Sequence, residues 1–84
     1  MPGPVASVVE VAARALVDHP SEVRVTETTH RGVTVVELSV APGDVGKVIG
    51  RLGRTAEALR TLVAATAHHH GGKATLEILD AEVS

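Results

Sequence analysis

Gly46-Lys47-Val48-Ile49-Gly50-Arg51-Leu52-Gly53-Arg54-Thr55 is the one stretch of the chain where glycine, positive charge and the start of a helical pattern coincide. Glycine lets a backbone come close to a phosphate, and the unpaired N–H groups that open the next helix add partial positive charge there. Four of the eight glycines fall between Gly43 and Gly53. The segment from Gly43 to Arg60 sums to +2, whereas residues 1–42 and residues 61–84 each sum to -2. Such a turn can grip a sugar-phosphate chain. A bare GxxG is equally a plain turn between two helices; the surplus charge and the flanking elements set this one apart. Other phosphate loops fit poorly. A P-loop would need glycine at Ala41 and Ser or Thr at Val48, and the dinucleotide G-x-G-x-x-G spacing is not met by Gly46, Gly50 and Gly53.

Outward from the loop, Ala41-Pro42-Gly43 stops whatever precedes it, and Asp44 is placed to cap a short helix over Val45 to Ile49. From Arg54 or Thr55 the spacing predicts a helix to about Ala67, with Ala56, Leu59, Leu62, Val63 and Ala67 on its apolar face. His68-His69-His70-Gly71-Gly72 ends it. A strand follows, in which Ala74, Leu76 and Ile78 alternate with Thr75, Glu77 and Leu79, and Asp80 to Ser84 reads as a frayed tail.

Toward the N-terminus, Val33 to Val40 is a strand with Val36, Leu38 and Val40 on one face, and Val23 to Thr29 is a strand with one buried face. His30-Arg31-Gly32 joins the two as a hairpin. Val5, Val8, Val9, Ala12, Ala13 and Leu16 predict an amphipathic helix that ends near His19-Pro20. The order is α-β-β-α-α-β. An α+β fold with helices on one face of a three-stranded sheet would bury every stripe together.

Composition bounds the function. With 84 residues the expectation is a single domain, with its core over about residues 5–80. The chain has no Cys, Phe, Tyr or Trp, and its apolar set is mainly 15 Val, 12 Ala and 7 Leu. No thiol chemistry or thiolate metal site is available. Stacking of bases on aromatic platforms is also out, so nucleic-acid contact would rest on backbone and aliphatic groups. The net charge of -2 argues against a generally cationic binder, but not against a local positive patch. Val5 to Val17 carries Glu10 and Arg14 and is too short to span a bilayer, so the expectation is a soluble cytoplasmic protein without a membrane segment.

The element order, together with Ala41 to Ala56, Ala58-Leu59-Arg60 and the opening helix with Ala15-Leu16-Val17-Asp18-His19-Pro20, resembles a KH domain. More narrowly the chain is similar to the small bacterial single-KH proteins of the KhpA, or YlqC-like, family. The resemblance spans roughly Val5 to Asp80. It implies a type II KH fold with a mixed sheet, whose Gly50 to Gly53 loop clamps about four nucleotides of single-stranded RNA along the backbone. On that resemblance Gly50 and Gly53 allow close approach, Lys47, Arg51 and Arg54 neutralise phosphates, and Gly46 belongs to the same RNA-binding set. Ile49 or Val48 would line the groove under the bases, opposite the edge of the Val33 to Val40 strand. Leu52 departs from the family, which usually places a polar or basic residue there. The resemblance also implies self-association, or pairing with a larger KH protein of the Jag type, KhpB. No cofactor and no resident metal are expected.

Other signals have plainer readings. Consecutive histidines on a helix point about 100° apart, so His68, His69 and His70 cannot converge on one ion from a single chain. Glu27, Glu37, Glu57 and Glu77 form no local carboxylate pair, and Ser7, Ser21, Ser39 and Ser84 lack a nucleophile elbow. A non-catalytic RNA-binding module is the leading expectation, of the chaperone or post-transcriptional regulator type. Its rival is a protein-interaction subunit, in which the helix carrying Ala58, Ala64 and Ala65 packs on a second KH protein or a second copy.

Overall fold

The computed structural model describes residues 3–79, so the tail expected over Asp80 to Ser84 lies outside the described residues. Helix α1 spans Pro4–Leu16, with Pro4 in the first turn, where its missing N–H leaves no helical bond unmade. It buries Val5, Ala6, Val9 and Ala13. The expected end near His19-Pro20 is corrected to Leu16. At Val17 the backbone turns extended (φ -96°, ψ 162°), which swings Val17 into the core and leaves Leu16 40% exposed.

Strands β1 (Arg24–His30) and β2 (Val33–Ser39) form an antiparallel hairpin, and Arg31 and Gly32 alone make the turn, both at positive φ. That is the two-residue geometry whose twist suits paired strands. Strand β3 (Lys73–Ile78) joins β2 in parallel, giving a mixed sheet of order β1-β2-β3. A parallel pair needs a long crossover. Here it consists of α2 (Val45–Ile49), the glycine loop and α3 (Arg54–His69).

The α-β-β-α-α-β order, mixed sheet and helices are those of a type II KH domain. Two expectations about the sheet need correction. β2 is the central strand, paired on both sides, so it presents no edge whose backbone could read bases. The buried face expected over Val23 to Thr29 is cut short: Val23, fully buried, lies just before β1, and only Val25 of β1 packs on the core. On its helix-facing row Val25 is only half-buried, while Glu27, at the sheet margin, extends its carboxylate to Gly3, the N-cap of α1. A carboxylate there suits the helix dipole but cannot join an apolar core.

The core lies between the sheet and the helices. Val9, Val23, Val36, Leu38, Val48 and Val63 are almost fully buried, and Leu59, Leu76 and Ile78 close it. Branched side chains with few rotamers fill this space without aromatic rings. Leu62, expected on the buried face of α3, is 43% exposed, because Ala56, Leu59, Val63 and Ala67 already occupy that face.

Candidate nucleic-acid interface

The site is built from the two ends of α2. At its C-terminal end Gly50 adopts φ 76° and ψ 171°, a region essentially reserved for glycine. A Cβ there would stand 2.6 Å from Thr55 Cβ and 2.9 Å from Thr55 N, so Gly50 lets the loop fold back on the first turn of α3. Arg51, Leu52 and Gly53 make a short 3-10 turn closed by Gly53 N–H donating to Gly50 O at 3.1 Å. Leu52 (φ 58°, ψ 24°) and Gly53 (φ 74°, ψ 11°) are both left-handed. No side chain caps α3; the Arg54 N–H donates back to Arg51 O, and the next N–H groups of the first turn open beside the loop without a side-chain acceptor.

The sequence-derived residues separate into distinct roles in space. Leu52 stands at the tip and is 83% exposed, an apolar side chain held in a left-handed backbone. Arg51 and Arg54 are exposed on either side of it, and among the described residues no carboxylate lies within ion-pairing distance of either. Gly46 is exposed with open space where a side chain would be. Ile49 is half-buried against the core, whereas Val48 is fully buried and cannot line a groove. Lys47 does not reach out freely: its Nζ lies 3.2 Å from Asp18 Oδ2 and 3.9 Å from Asp44 Oδ1.

The N-terminal end of α2 holds what sequence reasoning missed. Asp44 is the one buried charged residue among the described residues, and its side chain makes no capping hydrogen bond to α2. Instead Oδ2 accepts from the backbone N–H of His19 at 3.0 Å and faces His19 Nδ1 at 3.1 Å. Burial pushes the Asp44 carboxyl up, but the His19 ring, the backbone N–H groups of Asp18 and His19 and the His19 charge outweigh it, holding the group below its ordinary 3.8. An aspartate before a short helix reads locally as a cap. Its partner 25 residues away gives no local signal.

Among the described residues no cluster of His, Asp or Glu is placed to hold a metal ion, and no helix is long and apolar enough to cross a membrane. Away from the loop, a shallow apolar groove of about 370 Å³ runs between α1 and α3, lined by Ser7, Val8, Val11, Ala12 and Leu62. Ala64 lies elsewhere on α3, in a concavity beside β3 that includes His68 and Thr75. Ala64, expected on one apolar surface with Ala58 and Ala65, therefore does not line the groove.

The family model described as the KhpA/KhpB KH domain matches residues 6–78. The protein of Treponema pallidum named RNA-binding protein KhpA is 54% identical over 68 residues, covering 81% of this chain and 85% of its own length. The protein of that name from Halalkalibacterium halodurans is 50% identical over 74 residues (88% of this chain, 97% of the relative). The one from Aquifex aeolicus is 47% identical over 73 residues (87% and 92%). With a mixed-sheet KH fold, a glycine loop between its two central helices and these relatives along nearly its whole length, the chain belongs to the KhpA/KhpB family of KH-domain proteins.

Proposed function

We propose that the chain is a non-catalytic, cytoplasmic single-stranded RNA-binding protein of the RNA chaperone or post-transcriptional regulator type, which clamps the RNA backbone with the loop from Gly50 to Gly53. One observation carries the reading. Two exposed arginines without carboxylate partners, Arg51 and Arg54, flank a glycine-shaped loop at the uncapped start of a 16-residue helix. Arginine beside open backbone N–H donors suits phosphate, and glycine admits the backbone closely. Gly46 and Ile49 offer a small, partly apolar floor for a base, and Leu52 offers an apolar contact to a sugar or base face. The relatives named RNA-binding proteins support the same reading.

The test is fluorescence anisotropy with dye-labelled short single-stranded RNA, since the protein has no tryptophan of its own. Native protein should bind with an affinity that falls as salt rises. Arg51→Asp/Leu52→Asp should keep the native far-UV circular dichroism spectrum and lose binding by about tenfold or more, as negative charge replaces a phosphate contact. Equal binding by the two proteins would remove the loop as the working surface.

A second surface favours a protein partner. The groove between α1 and α3 is almost wholly apolar, and Val11 beside it is 71% exposed. We assign it to self-association, with a second copy laying its own α1 and α3 against the groove; a larger Jag-type KH protein is the alternative occupant. Leu62→Glu should convert a dimer to a monomer in sedimentation while RNA contact at the loop persists. Ala64→Glu, outside the groove, should not. An unchanged oligomeric state in Leu62→Glu would exclude the groove as the interface between copies.

A further inference from the structure

The group of Asp18, His19, Asp44 and Lys47 has no part in the clamp as described, yet it touches the element that carries the loop. Helix α2 has five residues and no side-chain cap, too little to hold its own shape in water. Its placement therefore comes from tertiary ties. Val45 and Val48 supply the apolar tie to the core. The polar tie is Asp44, which binds His19 through Oδ2 and faces Lys47 through Oδ1, while Lys47 reaches across to Asp18. Asp18 and His19 lie in the segment just after α1, so the group links that segment to both ends of the first turn of α2. Gly50 donates its N–H to Gly46 O and follows the last residue of α2 directly, so a change in the tilt of α2 displaces the loop.

The same geometry decides what Lys47 does. Asp18, Asp44 and Lys47 together carry -1 with a neutral His19 and zero with a protonated one. A phosphate approaching Lys47 meets two carboxylates that already hold it, whereas at Arg51 and Arg54 it meets none. Resting on the RNA-clamp reading above, we propose that Asp44, His19, Asp18 and Lys47 are positioning residues that set the angle of the glycine loop, and that Lys47 acts through its carboxylate partners without contacting phosphate.

Salt dependence separates a positioning residue from a phosphate contact. Each phosphate contact to a single strand contributes about 0.7 to the slope of log affinity against log salt. Arg51→Gln and Arg54→Gln should each flatten the slope by about that amount. Lys47→Gln should leave the slope at the native value and lower affinity about three- to fivefold at every salt concentration, with Lys47→Arg restoring it. Asp44→Asn should lower affinity about tenfold, again with the native slope. His19→Ala, which keeps the backbone N–H and changes a side chain that is largely exposed, should give a smaller loss of the same kind and covers the case in which Asp44→Asn does not fold.

A slope flattened by about 0.7 in Lys47→Gln would make Lys47 a phosphate contact and overturn the proposal while leaving the clamp intact. Native affinity in both Lys47→Gln and His19→Ala would overturn it too. Silence of Arg51→Gln and Arg54→Gln would instead bring down the clamp itself, and the positioning role with it.

Discussion

The two ends of α2 are opposites built from one short element. At the first, Asp44 is buried, negative and hydrogen-bonded to His19. At the second, the loop from Gly50 to Gly53 exposes Arg51 and Leu52, carries positive charge and runs at positive φ at Gly50, Leu52 and Gly53. The difference teaches how a small domain divides its work. Polar burial at one end fixes where the helix sits, and the strain concentrated at the other gives the backbone a shape that ordinary residues resist.

The sharpest way to break this contrast is within the loop, because its two glycines exist for different reasons. Gly50→Ala meets both a positive φ and the side chain and backbone of Thr55, and should lower stability by about 2–4 kcal/mol, or Tm by about 10–20 °C, in thermal melts followed by circular dichroism. Gly53→Ala meets only the positive φ, since its Cβ would enter open space, and should cost about 1 kcal/mol. Equal losses would mean that the packing on Thr55 contributes nothing.

At the other end the handle is pH. The Asp44 carboxyl titrates below its ordinary value in the folded state, so its contribution is present above about pH 3.8 and is lost as pH falls through the folded value. Acid melts of the native protein should therefore steepen below that point, and those of Asp44→Asn should lose this component. Identical acid profiles would show that the His19 contact adds no stability. The smallest effect is expected at the tip. Leu52→Asn places in the left-handed region a residue that tolerates it and should raise stability by about 0.5–1 kcal/mol while native secondary structure is kept.

Much of this molecule was legible along the chain. The glycine loop, the order of elements and the stripe of Ala56, Leu59, Val63 and Ala67 follow from local spacing and local charge, which neighbouring residues express without reference to the rest of the fold. Failures came wherever a residue had a distant alternative. Leu16 and Leu62 fit helical stripes, but Val17 and the α3 face of Ala56, Leu59, Val63 and Ala67 took the core positions. The strand from Val33 read as an edge turned out to be central, because β3 arrives from beyond two helices to pair with it. Lys47 reads locally as a loop cation, and nothing near it in the chain signals that Asp18, from the far side of the hairpin, lies beside it.

What the amino-acid sequence determined by itself is the set of elements, the glycine-shaped turn between two helices and the positive segment around it, since backbone preference and periodicity are properties of neighbours. Tertiary structure alone decided which cations remain unpaired, that Asp44 is buried against His19, and that Gly50 is required by Thr55 as well as by its own φ. Burial and ion pairing depend on which distant groups the packed core brings within a few ångströms, and no local pattern encodes that meeting.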